Sequence, residues 1–494
     1  MSPSEAPTTD LEVHPSKIKL YGTNGVQCRI HAISEHLMDA LYSESVVAKV
    51  WNIASKAVSS SKPPILYPEY TDEDGIYVYR TLDFWTSGFF PGSMYLLLER
   101  FTRHPQITHR SGQTKDTLTP WPHRLQLEYL CRWWTTNLHA NALKRDTHDL
   151  GFMIAPWATK SWELHRDPAA YNSLVMAAHS LASRFNTTTQ CLRSWDVCIT
   201  NRYSFTDPSQ DFLVIIDNML NLDLLFWAAR ETSNKGLFDV AMMHARTTQK
   251  HHIRDDHSTF HVVNFDSENG GVKAKFTNQG FSDSSCWARG QAWGILGFMQ
   301  TFEWTKEISF LVTARDLADY FIAHLPEDGV PYWDFTAPIT EVSPRDTSAA
   351  VVAACGMLLL YKALKGSPDG DVYLFKAMKL VDCTASKFLN SPTSRFEKVT
   401  SASKVPVYPS GCIDGHEGDG FSSMTVVDKS GSKIGESILG GATINNYEFA
   451  PRRWSNHGLV YADYYFLLFG NMLLELGLAK LDDAKPGKKV DSVR

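Results

Sequence analysis

Two aspartates stand where carboxyl chemistry is possible: Asp149 in HDLGFM (148–153) and Asp217 in VIIDNML (214–220), each ahead of an apolar helical run. A lone Asp in that position ordinarily caps a helix. Two of them on neighbouring helices, aimed at one cavity, can instead form an acid/base pair. Burial and like-charge proximity raise one carboxyl pKa until it holds a proton near neutrality, while its partner stays ionised. Glycoside chemistry needs that division of labour.

Further polar groups stand in reach of such a pair. His261 lies in an alternating strand pattern over 259–266, where a hydrogen-bonded core histidine is the plain alternative. Gln279, Arg289 and Trp293 could supply an amide, a cation and a stacking plane. Arg289 and Trp293 are four residues apart and so share a helix face. A guanidinium beside an indole suits a carboxylated sugar, although an Arg stacked on Trp for structure alone is common. Trp85 and His148 stand in two more clusters ahead of helices. The 14 tryptophans suit a carbohydrate cleft, or equally a large core. The run 251–257 is rich in His and Asp but carries Arg254 and no helical His-x3-His pair, so no metal site is expected there; the polar loop 415–420 is weaker still. No phosphate loop, dinucleotide fingerprint or nucleophile elbow is present.

These groups need a scaffold, and the sequence predicts a helical one. Apolar spacing of the i, i+3, i+4, i+7 kind runs over 92–103, 125–141, 217–231, 290–304, 348–364, 372–390 and 459–476. Polar or aromatic clusters precede helices at Trp85, Asp149, Asp217, Arg289, Asp346 and His457, at intervals of 64, 68, 72, 57 and 111 residues. A period near one helical hairpin points to a closed repeat. Six hairpins predict an all-α, (α/α)6 barrel with minor β-hairpins in its loops, whose inner helix N-termini converge on one face. The long last interval predicts a loop insertion near 393–450, rich in Gly, Ser and Thr. The expected organisation is a disordered tail over 1–17, one catalytic domain over 18–480 and a second tail over 481–494.

Bulk properties narrow the class. At 43% hydrophobic and 21% charged residues, the 494-residue chain can bury a large core. A formal charge of −6 argues against nucleic-acid or anionic-membrane partners. No stretch approaches the ~20 apolar residues of a membrane span. The polar N-terminus lacks a hydrophobic run, and the eight scattered cysteines show no C-x-x-C, so a cytoplasmic protein with free thiols is expected.

The strings HDLGFM, IIDNMLNLDLLFWA (215–228), STFHVVNFD (258–266), QGFSDSSCWARGQAWGILGF (279–298), VPYWDF (330–335), RDTSAA (345–350) and GLVYADYYF (458–466) resemble the unsaturated glucuronyl hydrolases, glycoside hydrolase family 88. The likeness runs from about Trp85 to Phe469. It implies an (α/α)6 barrel that hydrates the vinyl ether of a Δ4,5-unsaturated uronic acid at the non-reducing end of lyase-generated oligosaccharides, without cofactor or metal. By motif, Asp217 matches the general acid/base and Asp149 the second active-site aspartate. His148, His261, Gln279, Arg289 and Trp293 match substrate-contacting positions, and Trp85 an aromatic at the cavity mouth. The segment 393–456 departs from the pattern, in a region that helps choose the next sugar in the family. The expected partner is the oligosaccharide alone, bound by a monomer or weak homo-oligomer. Alternatives are an unsaturated rhamnogalacturonyl hydrolase, a sugar 2-epimerase with paired histidines on inner helices, or a non-catalytic sugar-binding toroid.

Overall fold

The computed structural model describes residues 33–108, 121–398, 424–431 and 433–479. Both predicted tails, the loop 415–420 and much of the predicted 393–450 insertion lie outside those residues. The helices are, in order, α1 (Glu35–Tyr42), α2 (Glu44–Lys56), α3 (Phe89–Arg103), the single turn α4 (Pro105–Thr108), α5 (Arg124–Thr135), α6 (Leu150–His165) and α7 (Pro168–Ala182). They continue as α8 (Leu222–Thr232), α9 (Lys235–His252), α10 (Ala288–Thr305), α11 (Ile308–Ala323), α12 (Thr347–Ala363), α13 (Pro368–Phe388) and α14 (Val460–Glu475).

Helices α3, α6, α8, α10, α12 and α14 each pack on the next, and α14 closes on α3. Outside this ring α5, α7, α9, α11 and α13 cover α3, α6, α8, α10 and α12, while α1 covers α14 and α13. This is the (α/α)6 barrel expected from the hairpin period. Residue type sorts the two layers. In α12, of the inner ring, 14 of 17 residues are buried, and it reads TSAAVVAACGMLLLYKA with apolar groups all round. In α9, of the outer ring, only six of 18 are buried, on one stripe. Small residues set the inner spacing: a Cβ on Gly356 of α12 would lie 2.7 Å from Ile295 Cγ2 of α10, so only glycine permits this approach.

Small antiparallel sheets fill the loops on the site face. Strands β1 (Leu66–Thr71) and β2 (Tyr77–Thr81) form a hairpin, and β3 (Phe185–Asn186) pairs with β4 (Cys191–Leu192) and β5 (Cys198–Ile199) with β6 (Ser204–Phe205). Strand β7 (Asp211–Ile215) pairs with β8 (Val262–Asp266), Ile215 opposite Val262, and β8 pairs with β9 (Val272–Phe276). Of the alternating pattern at 259–266, Val262–Asp266 form the middle strand of a three-stranded sheet, and His261 stands just before it. Strands β10 (Ser394–Lys398) and β11 (Met424–Asp428) supply the extended structure expected in the late insertion.

Two predicted helices are shorter than their apolar spacing. The 217–231 pattern divides into a 3-10 turn, Ile216–Leu220, and α8. The chain enters that turn as a strand, and Ile216 N donates to the His261 carbonyl, so α-helical pairing starts only afterwards. The 125–141 pattern ends as α5 at Thr135, where Thr135 and Thr136 fold their hydroxyls back onto the Cys131 and Arg132 carbonyls; a 3-10 segment, Leu138–Leu143, follows.

Candidate active site

A cavity of about 370 Å³ opens where the N-terminal ends of the inner helices converge. Asp149 and Asp217 both face it, from the adjacent inner helices α6 and α8. Neither carboxylate is a helix cap. Asp149 occupies the N-cap position of α6 but makes no side-chain cap bond, and Asp217 sits inside the 3-10 turn. The ordinary structural role for each is thereby excluded, and their hydrogen bonding differs sharply.

Asp149 is well satisfied. Thr147 Oγ1 donates to its Oδ2 at 2.6 Å, and His148 Nε2 lies 3.1 Å from its Oδ1. Burial pushes this carboxyl up, but His148, Thr147 and the more distant Arg184 outweigh burial and hold it below the ordinary Asp value. Asp217 is the opposite case. Its Oδ1 is buried without a hydrogen-bond partner. Burial, reinforced by the charge of Asp149, drives its pKa up to about 7 against the pull of His148 and Arg289. One cavity thus holds a carboxyl able to keep its proton near neutrality beside one held in the ionised form.

Arg289, on the first turn of α10, supplies the cation and is almost wholly buried. Its Nη1 donates to Asp346 Oδ2 at 2.7 Å, to Ser348 Oγ at 3.2 Å and to the Thr443 carbonyl, and its Nη2 to the Ile444 carbonyl at 2.6 Å. Asp346 caps α12 and in turn accepts from Ser348 and Thr443 backbone N–H. Gln279 donates its amide to the same Ile444 carbonyl at 2.8 Å. These bonds fix the segment carrying Ile444 and Asn445 as one wall of the cavity.

Of the eight expected site residues, Trp85, His148, Asp149, Asp217, Gln279 and Arg289 line the cavity; His261 and Trp293 do not. His261 is buried behind the wall. Its Nδ1 bonds Thr277 Oγ1 and accepts from Asn278 N, and its ring packs 4.4 Å from that of Trp287. Trp293 is fully buried between Phe152 and Tyr465. Sharing a helix face did not bring it to Arg289, because that face turns into the ring core one turn below the cavity floor. The guanidinium instead lies 4.6 Å from the Trp287 ring and 5.3 Å from that of Tyr461.

Sequence reading missed other lining residues. Glu69 and Arg80 face each other across β1 and β2, their side chains joined by an Arg80 Nε to Glu69 Oε2 bond. Their hairpin was readable: two aromatic and β-branched runs flank Asp72-Glu73-Asp74-Gly75, with Gly75 at φ 76°. Trp195 and Trp454 line the cavity from loops, and no local spacing signals them.

No family model matches the chain. It is 36% identical over 280 residues to an unsaturated glucuronyl hydrolase of Formosa agariphila, a match that spans 56% of this chain and 63% of that relative's length. It is 34% identical over 302 residues to the unsaturated glucuronyl hydrolase of Bacillus sp. (strain GL1), covering 61% of this chain and 73% of the relative. Among solved structures, that of an unsaturated glucuronyl hydrolase specific for heparin superposes with a TM-score of 0.66 at 27% identity, over 89% of this chain and 98% of the other. Sequence identity at this coverage, joined to the closed helical ring, means that the chain belongs to the unsaturated glucuronyl hydrolases, glycoside hydrolase family 88.

Proposed function

We propose that this glycosidase releases a Δ4,5-unsaturated uronic acid from the non-reducing end of lyase-generated oligosaccharides, with Asp217 as general acid and then general base. The observation that carries the reading is the contrast between two carboxyls of one cavity: Asp217, buried with an unpartnered oxygen and a pKa near 7, and Asp149, hydrogen-bonded and ionised. Protonated Asp217 delivers its proton to C4 of the vinyl ether. Positive charge develops at C5 and the ring oxygen, and the ionised Asp149 stabilises it. Water adds at C5 and returns a proton to Asp217, so the acid is regenerated within the turnover. The C5 hemiketal then opens, expelling the remaining sugar and leaving a ring-opened keto-uronic acid.

Trp85 offers the sugar a ring plane, Gln279 an amide, and His148 holds Asp149. Arg289 has Nη1 occupied by Asp346, Ser348 and Thr443 and one Nη2 hydrogen by the Ile444 carbonyl, so it meets the uronate carboxylate with its Nε and its second Nη2 hydrogen. His261 and Trp293 act from behind, by fixing the backbone of the Asp217 turn and the packing of α10. An epimerase reading needs two histidines facing the sugar, whereas His148 is the one histidine lining the cavity among the described residues. Among the described residues, no helix is long and apolar enough to cross a membrane. Six described cysteines are free thiols, which supports a reducing, cytoplasmic setting.

The test follows ultraviolet absorbance of the C4=C5 bond across a panel of unsaturated disaccharides. Asp217→Asn abolishes its loss with the fold intact. Near-normal turnover by that variant would remove Asp217 from the role of proton donor.

A further inference from the structure

The cavity is graded in depth. Arg289 stands at its closed end, almost wholly buried, and Arg80 at its open end, with 41% of its side chain exposed. A row of aromatic rings connects the two guanidiniums. Arg289 Cζ lies 5.3 Å from the Tyr461 ring and Tyr461 5.1 Å from the Trp85 ring. Trp85 lies 6.5 Å from the Phe84 ring, and Arg80 Cζ 5.3 Å from Phe84. A non-reducing terminus enters such a cavity head first. The uronate goes to Arg289, and the next sugar lies toward Phe84 and Arg80.

Arg80 does not stand there as a free cation. Its Nε donates to Glu69 Oε2, and Glu69 also lines the cavity, only 5% exposed. The hairpin is built to aim this carboxylate. Pro68 pairs with Tyr79 and Tyr70 with Val78, so Glu69 is the extra residue of a β-bulge. A bulge re-aims a side chain, and bulges collect beside active sites. Burial pushes the Glu69 pKa up, and the hydrogen bond and charge of Arg80 pull it back down.

Every positive group lining the cavity is matched in this way. Arg289 is paired with Asp346, Arg80 with Glu69, and His148 lies 3.1 Å from Asp149; among the described residues no lysine lines the cavity. Arg452 is exposed, 5.1 Å over the Trp454 ring and outside the lining, where solvent and salt screen it. Once the uronate carboxylate is held at Arg289, a second anion at the Arg80 end meets the Glu69 carboxylate as well as the guanidinium. Neutral hydroxyls meet no such opposition. Glu69 Oε1 and the two Arg80 Nη groups carry no bond to the described residues. One acceptor beside several donors matches adjacent hydroxyls of a sugar ring.

We infer that Glu69 is a specificity-determining residue: by pairing with Arg80 it makes the outer end of the cavity select a second sugar with free hydroxyls against one carrying a sulfate. The inference rests on the proposed release of an unsaturated uronate and adds which second sugar is taken.

The test compares kcat/KM, from loss of C4=C5 absorbance, for two kinds of unsaturated disaccharide. In one the second sugar is an unsulfated N-acetylhexosamine; in the other the same sugar is sulfated at C4 or C6. Wild type is expected to prefer the unsulfated substrate by about tenfold or more, the scale of one charge repulsion across a partly solvated cavity. Glu69→Gln keeps the shape and leaves the Arg80 charge uncompensated, so the sulfated-to-unsulfated ratio is expected to rise about tenfold. Arg80→Gln leaves the Glu69 charge unpaired, so the ratio is expected to fall. A merely structural pair would slow both substrates alike and leave the ratio unmoved. Wild type that takes either sulfated disaccharide as well as the unsulfated one, or an unmoved ratio in Glu69→Gln, overturns the inference and leaves the hydrolase reading intact. No loss of absorbance with any of the disaccharides overturns that reading, and this inference with it. If Glu69→Gln does not fold, the wild-type preference and the fall of the ratio in Arg80→Gln decide.

Discussion

Asp217 and Asp149 face one cavity, and Asp217 binds its proton more tightly because Asp149 is ionised beside it. Burial is the larger influence on Asp217, and the charge of Asp149 adds to it. Because the proton on Asp217 is the reagent, the rate is expected to fall as pH rises through about 7. Asp149→Asn removes the neighbouring negative charge, so the Asp217 carboxylate becomes easier to form and its titration moves to lower pH. Carbon-13 carboxyl titrations of wild type and variant read this directly. An unmoved Asp217 titration in Asp149→Asn would break the proposed coupling.

The same shift makes a stability prediction. Asp217 has its folded pKa raised from 3.8 to about 7, so the fold favours the protonated form. That contribution is complete below about pH 4 and is lost as pH rises toward 7. Asp217→Asn carries no such charge, so it is expected to match wild type near pH 4 and to exceed it by a few kcal/mol above pH 7, at about 1.4 kcal/mol per pKa unit. Thermal or urea unfolding at the two pH values checks the sign. A variant less stable than wild type at pH 8 contradicts a destabilised carboxylate.

Much of this was legible in the chain because helical periodicity and hairpin spacing are local signals. The six marker clusters do sit ahead of or on the six inner helices, from Trp85 before α3 to His457 before α14. What escaped was set by long-range contacts. Asp217 was read as opening a helix, but a carbonyl of His261, 44 residues later, holds its turn through Ile216 N. Trp293 was placed by helical spacing in the cavity, yet spacing gives a face and not a depth along the axis. Arg289 was read as free for a substrate, and only the fold brings Asp346 and the 443–444 carbonyls onto it.

Trp293 and Trp85 should separate in their kinetics. Trp293 is fully buried against Phe152 and Tyr465, so Trp293→Ala is expected to cost about 3–5 kcal/mol of stability. Trp85 is partly exposed at the cavity, its ring tilted against that of Tyr461, so Trp85→Ala is expected to raise KM severalfold with a smaller loss of stability. Urea unfolding and steady-state kinetics on both variants test the pair. A larger KM effect at Trp293 would place its indole on the sugar.

The cavity wall near 444–445 depends on two buried charged groups at the far end of the same segment. Lys49 of α2 is buried and donates to the Ser437 carbonyl at 2.7 Å and to that of Asn390. Burial lowers its pKa, while the charges of Asp463 and Asp428 pull it back up. Asp463 of α14 accepts from Ile438 N at 2.8 Å, Leu439 N at 2.9 Å and Tyr77 Oη at 2.8 Å, and burial raises its pKa. Together they hold residues 437–439, from which the chain runs to Thr443 and Ile444 over Arg289. Lys49→Met leaves the Ser437 and Asn390 carbonyls without their buried donor and removes a positive charge felt by Asp463, so stability is expected to fall. It also frees the segment that supplies Ile444 and Asn445, so kcat/KM is expected to fall under conditions where the variant is fully folded. A variant that loses stability while keeping wild-type kcat/KM would show that Arg289 and Asp346 hold this wall on their own.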